Sequence, residues 1–290
     1  MAETTTIRNT SLSAEISALG AELTSLKSAA GDDFLWGGDP AWWRGRSPLL
    51  FPIVGKVPDD QIVVDGVRYP MKQHGLARTA VFSLVEASAS ECRYRLTSSD
   101  ETRAAYPFDF TLEVRYALAV GTLTIAATVA NTGDKAMPMS FGFHPAFRWP
   151  LPGGGAREEH VLTFDAAEPA PIRRLHNGQL AAQSLPTPVE GKVLHLRDDL
   201  FVEDAVIFDR PVSRGLTYSS PTGPSLRVAY PDMPHLGIWS KPGAGFVCIE
   251  PWQGHASPEG FDGELADKPG MVAIMPGATE RFGMSIALEI

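Results

Sequence analysis

The chain is poor in cysteine, carries no surplus of basic residues, and has no segment in which apolar residues keep a helical period over three turns. Each shortage excludes something. Its two cysteines, Cys92 and Cys248, stand in neither a metal-type nor a Cys-x-x-Cys spacing. A disulfide scaffold is therefore not expected, and two free thiols in a reducing compartment are. The formal net charge of −9 argues against nucleic acid and anionic membrane as partners, although Arg44 and Arg46 form a small basic cluster that could hold an anion. The opening stretch MAETTTIRN lacks the basic start and apolar core of a secretory signal. A cytoplasmic location is the expectation. The uncharged stretch Tyr116–Gly133 is broken by Gly121 and carries Thr122, Thr124 and Thr128, so it reads as two strands and a turn rather than a membrane span. No spacing marks a metal-ligand cluster, and no glycine-rich loop is placed to cradle phosphate.

What is abundant points to β structure. Among 290 residues there are 27 glycines and 24 prolines without a periodic repeat, which suits many short strands joined by tight turns. Thr111–Leu118 alternates with a period of two, as a half-buried strand does. Gln61–Tyr69 contains Asp65-Gly66 between two apolar runs, the signal of a type I′ hairpin. Further strands are expected at 81–86, 92–97, 123–131, 161–164, 193–196, 205–208, 226–230, 236–239, 246–250 and 281–288. The one helical turn expected is Glu101–Ala105. With no linker or composition shift, residues 1–290 read as a single large antiparallel β-sandwich, with 44% hydrophobic residues to fill its core.

Two segments carry chemistry against this background. Ser140–Phe147 (SFGFHPAF) and Val247–Trp252 (VCIEPW) each read as a buried apolar strand that bears one ionisable group and ends at a proline. Burying an isolated ionisable group is unfavourable. His144 and Glu250 taken together thus suggest an acid and a base, with imidazole suited to giving and recovering a proton near neutral pH. Among the other histidines, His160, His176 and His195 lie in polar surroundings and read as solvated, while His235 and His255 read as structural. His74 sits beside Gly75 in the loop MKQHGLAR. Trp36, Trp42 and Trp43 are either core packing under a loop or, for one or two of them, the wall of a sugar site.

Six blocks, GAELTSL, LWGGDPAWW, QHGLAR, FGFHPAF, IWSKPGAGFVCIEPW and PGATERF, resemble in sequence and order the aldose 1-epimerase (galactose mutarotase-like) family, most closely its LacX-like branch. The resemblance implies a many-stranded β-sandwich with an open sugar cleft and interconversion of sugar anomers without a cofactor. It implies Glu250 as the base on the anomeric hydroxyl, His144 as the acid on the ring oxygen, and His74 as a sugar contact. Asp204 falls where the family has a hydroxyl-binding aspartate, with Asp209 a rival, and Lys56 falls where relatives place a basic residue after a strand; Arg78 is a candidate to hydrogen-bond a sugar hydroxyl or an anionic substituent. Trp239 and Trp252 are either stacking residues for the sugar or core packing. A small-molecule sugar is the implied partner, met by a monomer or homodimer.

The block His74-Gly75-Leu76-Ala77-Arg78 and the run Pro145-Ala146-Phe147 depart from the galactose branch. The first is closer to hexose-6-phosphate mutarotases, so a phosphorylated hexose is an alternative substrate. A carbohydrate-binding protein without catalysis is the alternative from another class. A glycoside hydrolase domain needs two carboxylates across one bond, and the sequence offers one strong candidate.

Overall fold

The computed structural model describes residues 3–289. Alternation organises its largest sheet. In the strand Phe110–Ala119, Phe110, Leu112, Val114, Tyr116 and Leu118 are buried and the residues between them are more open. The strand turns at Gly121 into Thr122–Asn131, its antiparallel neighbour, so the uncharged stretch is the hairpin expected. Nine strands follow one another across this sheet: Val193–His195, Val161–Phe164, Gly215–Ser219, Ser225–Ala229, Thr279–Glu289, Thr122–Asn131, Phe110–Ala119, Glu91–Thr97 and Ser83–Ala87. Among the described residues no helix is long and apolar enough to cross a membrane.

The second sheet runs Gln179–Leu185, Ile172–His176, Val206–Phe208, His235–Trp239, Phe246–Gln253, Phe141–Phe143 and Leu49–Leu50, with Ala146–Arg148 also paired to Phe246–Gln253. The two sheets close on one apolar layer, in which Phe141 stacks on Phe282 with centroids 5.0 Å apart and Phe164 meets Phe208 at 5.4 Å. This is the antiparallel β-sandwich read from the sequence. A three-stranded sheet, Thr4–Arg8, Leu12–Ser17 and Glu22–Ser28, is tied to the large one by buried tyrosines. Tyr94 and Tyr116 donate to the carbonyls of Ile16 and Ala21, which satisfies hydroxyls that would otherwise be stranded in the core. At Asp65-Gly66 both residues have positive φ (52° and 75°), the conformation a type I′ turn requires.

Some expectations need correction. His160 is not solvated but fully buried: its Nε2 accepts from the Leu151 N–H, and Nδ1 lies 3.0 Å from the Ala156 carbonyl. A histidine among charged neighbours in sequence is here turned inward by the chain's own tight turn. The glutamate segment does not end at Pro251, because the strand continues to Gln253. Pro251 has no N–H, but at that position the ladder needs none. The hairpin Ile172–His176 to Gln179–Leu185 was not anticipated, although its turn is an Asn177-Gly178 pair with both φ positive. Its strands are rich in arginine, glutamine and alanine, so the apolar alternation that betrays other strands is absent.

Lys268 is 2% exposed, and its Nζ donates to the His255 carbonyl. Burial pushes its pKa down to about 7, against ~10.4 for a lysine in an unfolded chain. Between those values the unfolded chain binds the proton more tightly, so this residue makes stability rise with pH. Thermal melts from pH 7 to pH ~10 should show wild type gaining on Lys268→Met. A constant difference between the two would show that the ammonium is better compensated than its surroundings suggest.

Candidate active site

The strand Phe246–Gln253 places its side chains alternately on two sides of its sheet. Val247 and Ile249 join the core between the sheets. Phe246, Cys248, Glu250 and Trp252 face the other way. The neighbouring chain pairs with the same strand on both sides of His144: Gly142 lies opposite Trp252, and Ala146 opposite Cys248. His144 is thereby carried opposite Glu250, on the same face, in the gap between the strands Phe141–Phe143 and Ala146–Arg148. This corrects the expectation that His144 lies within a strand. Pro145 interrupts the ladder there, and its carbonyl still accepts from the Ile249 N–H.

The result is a direct contact. His144 Nε2 and Glu250 Oε2 are 3.0 Å apart, with side chains 7% and 2% exposed. Burial pushes the Glu250 carboxyl well above its usual range, and the negative charge of Asp204 adds to this. Burial likewise lowers the His144 imidazole well below its usual range, helped by His74 and Arg78. Both effects favour neutral groups, so the pair tends to hold one proton between them. Trp43 stacks on His144 with centroids 4.9 Å apart, and the edges of His74 and Trp239 meet the same ring.

His74 is held by the backbone of Gly55. Its N–H donates to the Gly55 carbonyl, and its Nδ1 accepts from the Gly55 N–H. With Nδ1 an acceptor, the proton of the neutral ring is on Nε2. Burial lowers the His74 pKa to about 3, with the Arg78 charge second, so the ring is neutral at physiological pH.

These groups open onto a concave pocket, the kind of place where small-molecule sites are found. His74, Arg78, His144, Asp204, Trp239, Glu250 and Trp252, all singled out in the sequence, line it. Asp204 stands at positive φ (65°) with its Oδ1 accepting from the Ala205 N–H. Trp252 lies over Gly237 and Gly142, where a Cβ would come within 2.3 and 2.7 Å of the indole, so the indole lies against bare backbone.

Two sequence candidates fall elsewhere. Lys56 packs against the Asn177-Gly178 turn and lines an adjoining groove with Lys72 and Gln73 rather than the cavity itself. Asp209 pairs with Arg173 at 3.4 Å and does not line the cavity. Gln73 was not picked out, although it lines the cavity and its amide lies 3.3 Å from His74 Nε2. No sequence signal distinguishes it from a solvated loop residue. Nor did spacing reveal that Cys248 joins His144 and Glu250, with donor atoms of all three within 4.8 Å of one another.

The family described as aldose 1-epimerase matches residues 3–266. The chain belongs to the aldose 1-epimerase family. Among curated members, it is similar to the plasmid and chromosomal forms of protein LacX from Lactococcus lactis subsp. lactis. Each is 31% identical, over 97% of this chain and 98% of the relative. Among solved structures, a galactose mutarotase related enzyme from Lactobacillus acidophilus superposes with a TM-score of 0.90 at 32% identity, covering 99% of this chain and 98% of that one. A galactose mutarotase-like protein from Lactobacillus casei gives the same TM-score and identity over 99% and 100%. For an aldose 1-epimerase family member, a small-molecule sugar is the partner that the family supports.

Proposed function

We propose that the chain, acting as one unit, interconverts the α and β anomers of a sugar by opening and reclosing its ring, with Glu250 and His144 as base and acid. The observation that carries this reading is the 3.0 Å contact between Glu250 Oε2 and His144 Nε2 on the floor of the cavity. Ring opening needs one proton removed from the anomeric hydroxyl and another delivered to the ring oxygen. A pair that holds one proton between them can do both, provided that proton moves from carboxyl to imidazole as the sugar enters. Glu250 then takes the hydroxyl proton while His144 protonates the departing ring oxygen. The open aldehyde rotates about its C1–C2 bond. On closure His144 removes the proton from the attacking hydroxyl and Glu250 protonates the former carbonyl oxygen, so the pair ends each turnover as it began.

The remaining lining groups are assigned to binding. His74, neutral and clamped, presents Nε2–H to a sugar oxygen. Asp204 accepts from a hydroxyl, and Trp43, Trp239 and Trp252 supply apolar faces. Arg78 has no ion-pair partner among the described residues and stands where the cavity meets the groove that Lys72 and Lys56 line. This favours including phosphorylated hexoses among the sugars tried.

The test is exchange spectroscopy by NMR on free and phosphorylated hexoses and pentoses, reading how fast the two anomers interconvert. Acceleration over the buffer rate for at least one sugar is expected. Binding across the panel with no acceleration would make this a carbohydrate-binding protein. The pH profile supplies a second check. A second proton on the pair blocks the base, and His144 resists taking it. The acidic limb of kcat/KM should therefore lie well below ~6.5, where a free imidazole titrates. A limb centred at that value would show that a solvated histidine, not the buried one, is the acid.

A further inference from the structure

Cys248 takes no part in the proton transfers above, yet its thiol is the group nearest to them without a task. It precedes Glu250 by two residues on the same face of the strand Phe246–Gln253, and it is fully buried. The donor atoms of His144, Cys248 and Glu250 all lie within 4.8 Å of one another, and the imidazole and carboxyl are already 3.0 Å apart. We propose that these three side chains chelate a soft, tetrahedral divalent cation of the zinc class, and that this ion and a sugar exclude one another from the cavity.

Geometry and donor type both lead there. Bonds of ~2.0–2.3 Å in a tetrahedron set donor atoms ~3.3–3.8 Å apart. Shifts of about an ångström or less would bring these three into place. Among the described residues His144 Nδ1 is buried without a side-chain hydrogen-bond partner that would hold the imidazole against such a shift. One thiolate, one imidazole and one carboxylate suit zinc and its congeners, whereas calcium and magnesium prefer oxygen alone. Charge also balances. The ion displaces the thiol proton and the proton held between Glu250 and His144, both of which pass to the buffer. Thiolate and carboxylate then cancel its two positive charges, leaving a neutral complex suited to a buried site. Three protein donors leave the fourth position facing the cavity for water. The binding half of this proposal stands on geometry alone, while the exclusion of sugar rests on the function proposed above.

The test uses the full chain, stripped of metal by a chelator and titrated with Co²⁺ as a coloured stand-in for Zn²⁺. One Co²⁺ should bind per chain, giving the intense visible bands of a tetrahedral ion and a thiolate-to-cobalt charge-transfer band, and Zn²⁺ should bleach both. Cys248→Ser should lose the charge-transfer band and weaken binding by more than ~10²-fold, since even outer partners of metal ligands matter ~10–100-fold. Cys248→Ala, checked for folding by circular dichroism, guards against a serine-specific effect. Absence of binding, or a spectrum unchanged in both variants, overturns the site and would place any metal elsewhere, such as the exposed pair His176 and Glu259. The sugar that the anomer assay identifies should displace the cobalt bands, and Zn²⁺ should slow exchange in proportion to occupancy. Bands that persist at saturating sugar overturn the exclusion. Failure of every sugar to show exchange, with the cobalt spectrum as expected, counts against the proposed reaction and not against the metal site.

Discussion

Glu250→Gln should reduce the rate of anomer exchange by ~10³-fold, within the ~10²–10⁴-fold range of a positioned acid or base, while KM changes little. The amide keeps the shape of the carboxyl and can still meet His144 Nε2, so the cavity survives. What disappears is the carboxyl beside His144 that takes the proton from the anomeric hydroxyl in the proposed reaction. Stability should hold or rise, because the variant no longer buries an ionisable carboxyl that its surroundings hold at a raised pKa. His144→Asn should fall by a similar factor for the complementary reason, and the double variant should be little worse than either single one, since the two residues act as a unit. Exchange spectroscopy on the best sugar, with sugar binding followed separately, tests all three. Wild-type exchange in Glu250→Gln would remove the glutamate from the mechanism, and a multiplicative double variant would mean that the two act independently.

Gly75→Ala should produce the largest structural effect of a single methyl group. Gly75 has φ +75°, and a Cβ there would lie 2.2 Å from the Phe51 carbonyl oxygen and 2.7 Å from the Pro52 nitrogen. Both are backbone atoms, so no side-chain rotation relieves the overlap. The loop must lift away from residues 51–52, and with it goes the backbone clamp that holds His74 against Gly55. The loss should be ~2–4 kcal/mol, at the upper end of ordinary single substitutions, and lower Tm by several degrees. Sugar affinity should weaken as well, because His74 is released from the cavity wall. Gly66→Ala is the control: it has the same positive φ but nothing within 4 Å of the added Cβ. A Gly75→Ala melt no lower than that of Gly66→Ala would show that the loop has more room than its geometry indicates.

The legible part of this protein follows from local rules. Alternation in Thr111–Leu118 and the Asp65-Gly66 pair declare a strand and a hairpin without reference to anything distant, because side-chain period and turn φ are properties of a few consecutive residues. The Asn177-Gly178 hairpin shows the limit. Its turn signal is as strong, yet polar strands give no alternation to support it. His160 shows another limit, since whether a histidine among charged neighbours faces water depends on where its turn is packed.

The ionisable pair could be named from the chain, because a histidine and a glutamate in apolar segments are each anomalous where they stand. Their meeting could not be derived from spacing: 106 positions separate residue 144 from residue 250, and only the shared register with Phe246–Gln253 sets them opposite each other. The same register brings Cys248 to their side, whereas Asp204, in a turn at positive φ, and Lys56, beside the Asn177-Gly178 turn, are placed by loops. By itself the chain determined that it would be an antiparallel β protein bearing two misplaced ionisable groups, since period and turn chemistry are written in adjacent residues. That His144, Glu250 and Cys248 share a site was decided by strand pairing, because contact between distant segments depends on register, and register is settled only when the two faces of a sheet are sorted between core and solvent.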